Sequence, residues 1–303
     1  MFMKIRYLIT IGILILAVLL VGCQKETVTQ SQDKLNVIVS ILPQKAFVKA
    51  VGGDHVNVKE LIPPGGSPAT YEPKPSDLVN VEKADIYFRS GHIPFEKSHA
   101  EKFASLNPNM KIVDTSVNVE LRHFGEHEEH THEHEEELHH EGVDPHIWLS
   151  PVQVKKQVEV IADTLSEIDP DNSEEYMKNA ENFKKELDEL HNELELKFRE
   201  LKTNKLMVFH PAWGYFADEY GLEQIAIEQD GKEPIAKQLQ HLIDEAREEN
   251  IKVIFVQSQF NKEIAESIAS EIDAVVVPIN PLSDDYINNL RNVATTITEH
   301  LIK

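Results

Sequence analysis

Two histidines sit in near-matching surroundings, His146 in DPHIWLSP and His210 in VFHPAWGYFA. Each has a proline beside it and a tryptophan close behind, so the backbone is restrained and the following chain is set for burial. Neutral imidazole is the commonest side-chain ligand for borderline transition metals. A third candidate is His92 in RSGHIPFEK, which follows an apolar run. Upstream of His146 lies an acidic, histidine-crowded segment, HFGEHEEHTHEHEEELHHEGV. It contributes His123, His127, His130, His132, His134, His139 and His140. Histidines alternating with carboxylates at short spacing suit weak, multiple binding of a dication. The same composition also describes a solvated, structureless run.

The elements that must hold these residues can be read from periodicity. Leu35 to Ser40, Val56 to Leu61, Asp85 to Arg89 and Met110 to Val113 read as strands with helical patterns between them. The rhythm repeats with strand-like runs at Lys205 to His210, Glu223 to Ile227, Lys252 to Val256 and Ala274 to Ile279. Helices are predicted at about Pro234 to Glu249, Lys262 to Glu271 and Asp284 to His300. This βαβ alternation predicts an α/β fold of two Rossmann-like lobes with mostly parallel sheets. Between them a long helix is predicted over roughly Asn172 to Lys202. Phe183, Leu187, Leu190, Leu194, Phe198 and Leu201 recur every three or four residues on one face. A coiled-coil dimer helix is the alternative, but no sustained heptad repeat extends the face, so a stiff backbone helix packed across both lobes is preferred. His210 then ends a strand, where an open α/β sheet binds ligands. His146 would face it from the other lobe.

The N-terminus supplies the address. Lys4 and Arg6 precede a nearly continuous apolar run from Tyr7 to Val21, closed by Leu20-Val21-Gly22-Cys23. This is the pattern of an export signal rather than a spanning helix. The expected organisation is a signal peptide over 1–22 and a polar tether over 23–33. An N-terminal lobe follows over 34–168, including the His/Glu loop 123–142, then the linking helix 169–202 and a C-terminal lobe 203–303. Cys23 is the sole cysteine, so a site in the folded part must use His, Asp or Glu. The net charge of −22 argues against nucleic acid and suits capture of cations.

DPHIWLSP, VFHPAWGYFA, PGGSPATYEPKPSDL and the acidic His loop together resemble the zinc-uptake solute-binding lipoproteins of ABC transporters and their manganese-binding relatives. The resemblance runs from about Leu35 to the C-terminus. It implies a metal held between two lobes joined by one long helix, with His146 and His210 as ligands. LVGC is similar to the lipobox of such proteins, which implies lipid attachment at Cys23 and stable anchoring without a membrane span. The implied partners are an ABC permease and its ATPase, for a protein working as a monomer at the outer face of the cytoplasmic membrane.

The chain departs from that family at three places. Ala69 stands where a histidine ligand usually follows the proline of the GGSP-type turn, Asn280 where an acidic ligand often lies, and Gln257 where the manganese relatives are acidic. Loss of carboxylates favours Zn2+ over Mn2+. A two-histidine site would be weak, so His92 is the first candidate to complete it. Glu72, Glu96, Asp284, Asp285 and His123 are further ones. The leading function is capture of Zn2+ outside the membrane and delivery to a permease, with no enzymatic activity. The alternative is a surface adhesin or zinc buffer without transport. A zinc hydrolase is less favoured, because no HExxH-type motif is present and Glu72 is the one carboxylate placed to act as base.

Overall fold

A computed structural model describes residues 34–124, 142–228, 231–232, 234–260 and 262–301. The leader, the tether with Cys23, and His127, His130, His132, His134, His139 and His140 lie outside the described residues.

The described chain forms two four-stranded sheets. The first holds β1 (Leu35–Val39), β2 (Val56–Glu60), β3 (Ile86–Arg89) and β4 (Lys111–Asp114) in the order β2-β1-β3-β4. The second holds β5 (Lys205–Val208), β6 (Glu223–Ala226), β7 (Val253–Val256) and β8 (Val275–Pro278) in the order β6-β5-β7-β8. Every strand pair in both sheets is parallel. The central runs, Val37 to Val39 and Val253 to Val256, are buried throughout, as expected for strands covered on both faces. Each sheet reverses its order between its first and third strands. The segments leaving β1 and β3, and those leaving β5 and β7, therefore border the crevices where such sheets take ligands.

Helices α1 (Leu42–Gly52), α2 (Pro75–Lys83) and α3 (Pro94–Leu106) serve the first sheet. Helix α4 (Pro151–Ile168) leads into α5 (Ser173–Phe198), the long helix that precedes β5. The second lobe carries α6 (Gly214–Tyr220), α7 (Ala236–Glu248), α8 (Glu263–Ile272) and α9 (Tyr286–Leu301). No described helix is long and apolar enough to cross a membrane.

Helix α5 has 26 residues, a length of about 39 Å. Tyr176, Ala180, Phe183, Leu187, Leu190, Leu194 and Phe198 form its buried face. The helix ends before Leu201, which packs on the core from beyond it. One apolar core runs from the first sheet through α4 and α5 to Trp213, Phe216 and α9, and a second, with Met207, Leu242, Ile254 and Ile268, lies within the second lobe. The last helix takes part in the joint. Tyr286 at its start meets Phe47 of α1 edge-on, with ring centroids 4.9 Å apart, and Phe47 lies 6.1 Å from Phe183. Burying such rings is worth about 1.5–3 kcal/mol each. Separating the lobes widely would expose them, so the joint favours small relative motion.

Candidate metal centre

His146 is placed by the burial of its C-terminal neighbours. Ile147, Trp148 and Leu149 form a single 3-10 turn, all at most 1 % exposed, and Ser150 then caps α4 by accepting from Gln153 N at 3.2 Å. Trp148 donates from Nε1 to the carbonyl of Pro281 at 2.8 Å, which ties the turn to the second lobe. Asp144, with no exposed side-chain surface, accepts from the His146 backbone N at 3.0 Å and lies 2.7 Å from His146 Nδ1. Burial pushes the His146 pKa below the ordinary imidazole range, against the opposing pull of Asp144.

His210 follows β5, whose register continues as Phe209 N donates to Phe255 O and Glu228 N donates to Phe209 O. Gln257, fully buried at the end of β7, clamps the His210 peptide. Its Nε2 donates to His210 O at 2.9 Å, and its Oε1 accepts from His210 N at 3.4 Å. Phe260 stacks on the His210 ring at 4.8 Å and 22°. The His210 Nδ1 is hydrogen-bonded to the carboxylate of Glu228, itself buried.

The two rings then meet. His146 Nε2 and His210 Nε2 are 3.3 Å apart, with the ring planes at 75°. A carboxylate on each Nδ1 fixes the proton there and leaves the lone pair on Nε2. In that tautomer the two lone pairs face each other, an arrangement suited to a shared cation rather than to a hydrogen bond.

His92 does not join this pair. Gly91 before it has φ +101, a conformation that favours glycine, and a Cβ there would collide with Ser116 Oγ and lie 2.5 Å from Asp114 Oδ1. His92 Nε2 lies 3.3 Å from Ser116 Oγ, whose own proton goes to Asp114 at 2.6 Å. Burial lowers its pKa. His123 forms an isolated antiparallel bridge with Val143. Among the described residues, no group of three His, Cys, Asp or Glu converges as a metal-binding set.

Among the described residues, the oxygen candidates do not gather with the two rings. Glu96 is buried beneath the ends of β1 and β3, where it accepts from Ser40 Oγ, from Ser90 N at 2.8 Å and from Gly91 N at 2.7 Å. Desolvation raises its pKa to about 7 against those hydrogen bonds. Glu72 is 85 % exposed and faces His99 at 3.6 Å. Asp285 accepts from Asn288 near the start of α9, and Asp284 is exposed. Asn280 uses its side-chain oxygen to accept from Leu282 N at 2.9 Å. Ala69 is exposed. Sequence reasoning missed Asp144 and Glu228. The first was visible as the residue two before His146, whereas Glu228 lies 18 residues from its histidine and is joined to it by sheet register.

The family described as ZnuA, zinc-uptake complex component A, periplasmic, matches residues 37–300. The high-affinity zinc uptake system protein ZnuA of Bacillus subtilis (strain 168) is 34% identical over 253 residues, 82% of this chain and 79% of that protein. The zinc-binding lipoprotein AdcA of Streptococcus pneumoniae (strain ATCC BAA-255 / R6) is 31% identical over 274 residues, 88% of this chain. The chain spans about half of AdcA, 53% of its length. A crystal structure of an internal-deletion mutant of ZnuA with zinc bound superposes with a TM-score of 0.82 at 39% identity, covering 89% of this chain and 99% of that one.

Proposed function

The chain belongs to the family of zinc-uptake complex component A, and from that premise we propose that it captures Zn2+ between its lobes outside the cytoplasm and delivers it to an ABC permease driven by its ATPase. One observation carries the reading, the 3.3 Å separation of His146 Nε2 and His210 Nε2. Zinc–imidazole bonds of about 2.0–2.1 Å at a tetrahedral angle put two ligand nitrogens about 3.3 Å apart. The observed spacing is therefore the spacing that a bound ion needs. The paired nitrogens favour Zn2+ over Mn2+, and Asp144 and Glu228 add negative charge without occupying the ion's coordination shell.

A hydrolase would need a general base beside the metal. Glu72 lies exposed against His99, and the Asp144 and Glu228 carboxylates hold imidazole protons, so the arrangement favours binding over catalysis. Export with lipid attachment at Cys23 is supported by the LVGC pattern. The histidine-rich run after His123 is read as a collecting loop that raises the zinc concentration near the cleft.

Zinc titration of the full-length protein tests this. One tight site and several weak ones are expected. Deleting Glu126 to Glu141 should remove the weak class alone. The assignment fails if the double variant His146→Ala, His210→Ala keeps the tight site.

A further inference from the structure

The carboxylate that orients His146 is held by Arg122 of its own lobe, and Arg122 is in turn held from across the lobe boundary. Arg122 precedes the His123–Val143 bridge, and its carbonyl accepts from Asp144 N at 2.9 Å. Its guanidinium then does two things. Nη1 lies 3.4 Å from Asp144 Oδ2, and Nε donates to Asp218 Oδ2 of α6 at 2.9 Å. The Arg122 backbone N also donates to Tyr215 OH of α6 at 2.8 Å. The Arg122 side chain is 13 % exposed and that of Asp144 0 %. This is not an exposed ion pair of small worth, because the carboxylate it neutralises is buried and would otherwise keep a poorly compensated charge.

Gly214, the first residue of α6, makes the passage possible. A Cβ there would lie 2.6 Å from Arg122 Nη1 and 2.6 Å from Asp144 Oδ2. Its backbone is not in the left-handed region, so the glycine serves space rather than conformation. The helix after His210 is therefore shaped to receive the arginine and the aspartate of the opposite lobe.

We propose that Arg122 is a positioning residue for His146, holding Asp144 in place only while α6 of the second lobe supplies Asp218, Tyr215 and the gap at Gly214. The orientation of a metal-binding imidazole is then made to depend on lobe contact. When the lobes part, Arg122 loses its α6 partners, Asp144 loosens, and His146 no longer points its lone pair at His210. Lobe separation thus weakens the ligand set as well as opening the cleft, which couples zinc release to the movement that a permease would impose. The proposal rests on the reading of His146 and His210 as the cargo site.

The test measures zinc release from the full-length protein into excess chelator by stopped flow. The nitrogen-bound proton of His146 Nδ1 in the metal-free protein is followed by NMR. Arg122→Ala and Gly214→Ala should each release zinc about tenfold faster, with the Nδ1–H resonance broadened. Arg122→Lys keeps the charge but cannot bridge two carboxylates as a planar fork does, so it should fall between them and the parent protein. It also decides the matter should Arg122→Ala fail to fold. Unchanged release and an unchanged resonance in Arg122→Lys overturn the proposal. Retention of tight zinc by His146→Ala, His210→Ala would instead reject the cargo site, a separate outcome.

Discussion

His146 Nε2 faces His210 Nε2 at 3.3 Å while the Nδ1 atom of each ring is held by a carboxylate, Asp144 for one and Glu228 for the other. The relation is arranged from both lobes. The turn of Ile147 to Leu149 fixes one ring, and the end of β5 with the Gln257 clamp fixes the other. Neither imidazole needs to rotate to bind a metal. Part of the ordering cost of binding is therefore met during folding.

The carboxylates should matter through the tautomer. Asp144→Asn and Glu228→Gln keep shape but can donate to Nδ1, which drives the ring proton to Nε2 and blocks the metal seat. Each substitution is expected to weaken zinc about 10–100-fold with the fold retained. Competition against a chromophoric chelator measures this. Unchanged affinity in both variants would show that the rings hold their tautomers without help.

How much of this could be read from the chain depends on what kind of signal each part leaves. The strands of Val37 to Val39 and Val253 to Val256, and the stripe from Phe183 to Phe198, follow from hydrophobic period, which is local. His146 and His210 were visible because proline and tryptophan neighbours mark anchored turns. Glu228 was not, because its meeting with His210 depends on the pairing of β5 with β6. Glu96 shows the opposite error. It stood among the further oxygen candidates, whereas the first turn of α3 carries it inward onto Ser90 and Gly91. The tie of α9 to α1 through Tyr286 and Phe47 also left no local trace.

His92 provides a second test of the cleft. Its imidazole lies against Ser116 rather than with the other two rings. His92→Ala is therefore expected to cost less than about tenfold in zinc affinity, well short of the loss on removing His146, where a carboxylate-oriented ligand disappears. Isothermal titration of both variants makes the comparison. Equal losses would place His92 in the ion's coordination shell and require the Gly91–His92 segment to move on binding.

Glu96 predicts a pH-dependent stability. Its pKa is near 7 in the folded protein against an ordinary value of 4.5, so the folded state binds more protons between those limits. Its contribution is fully present below pH 4.5 and is lost as pH rises through 7. The difference amounts to about 3 kcal/mol. Glu96→Gln removes the titration, so the gap in unfolding free energy between parent and variant should change across that window. A gap that stays constant from about pH 4.5 to 8 would mean that Glu96 titrates normally.

Gln257 separates two roles for one position. An acidic residue there is associated with manganese in the resembling proteins, yet in this structure both polar atoms of the buried amide are spent on the His210 peptide. Gln257→Glu replaces a donor by an acceptor opposite the His210 carbonyl and buries a charge. It should destabilise the fold by about 1–3 kcal/mol and weaken zinc by loosening the main chain that carries His210. Manganese affinity should not rise, because the side chain is directed at the backbone and not at the seat between the two Nε2 atoms. Thermal unfolding with parallel zinc and manganese titrations checks each part. A variant that gained manganese binding while keeping parental stability would show the carboxylate reaching the ion, and the clamp would then be incidental.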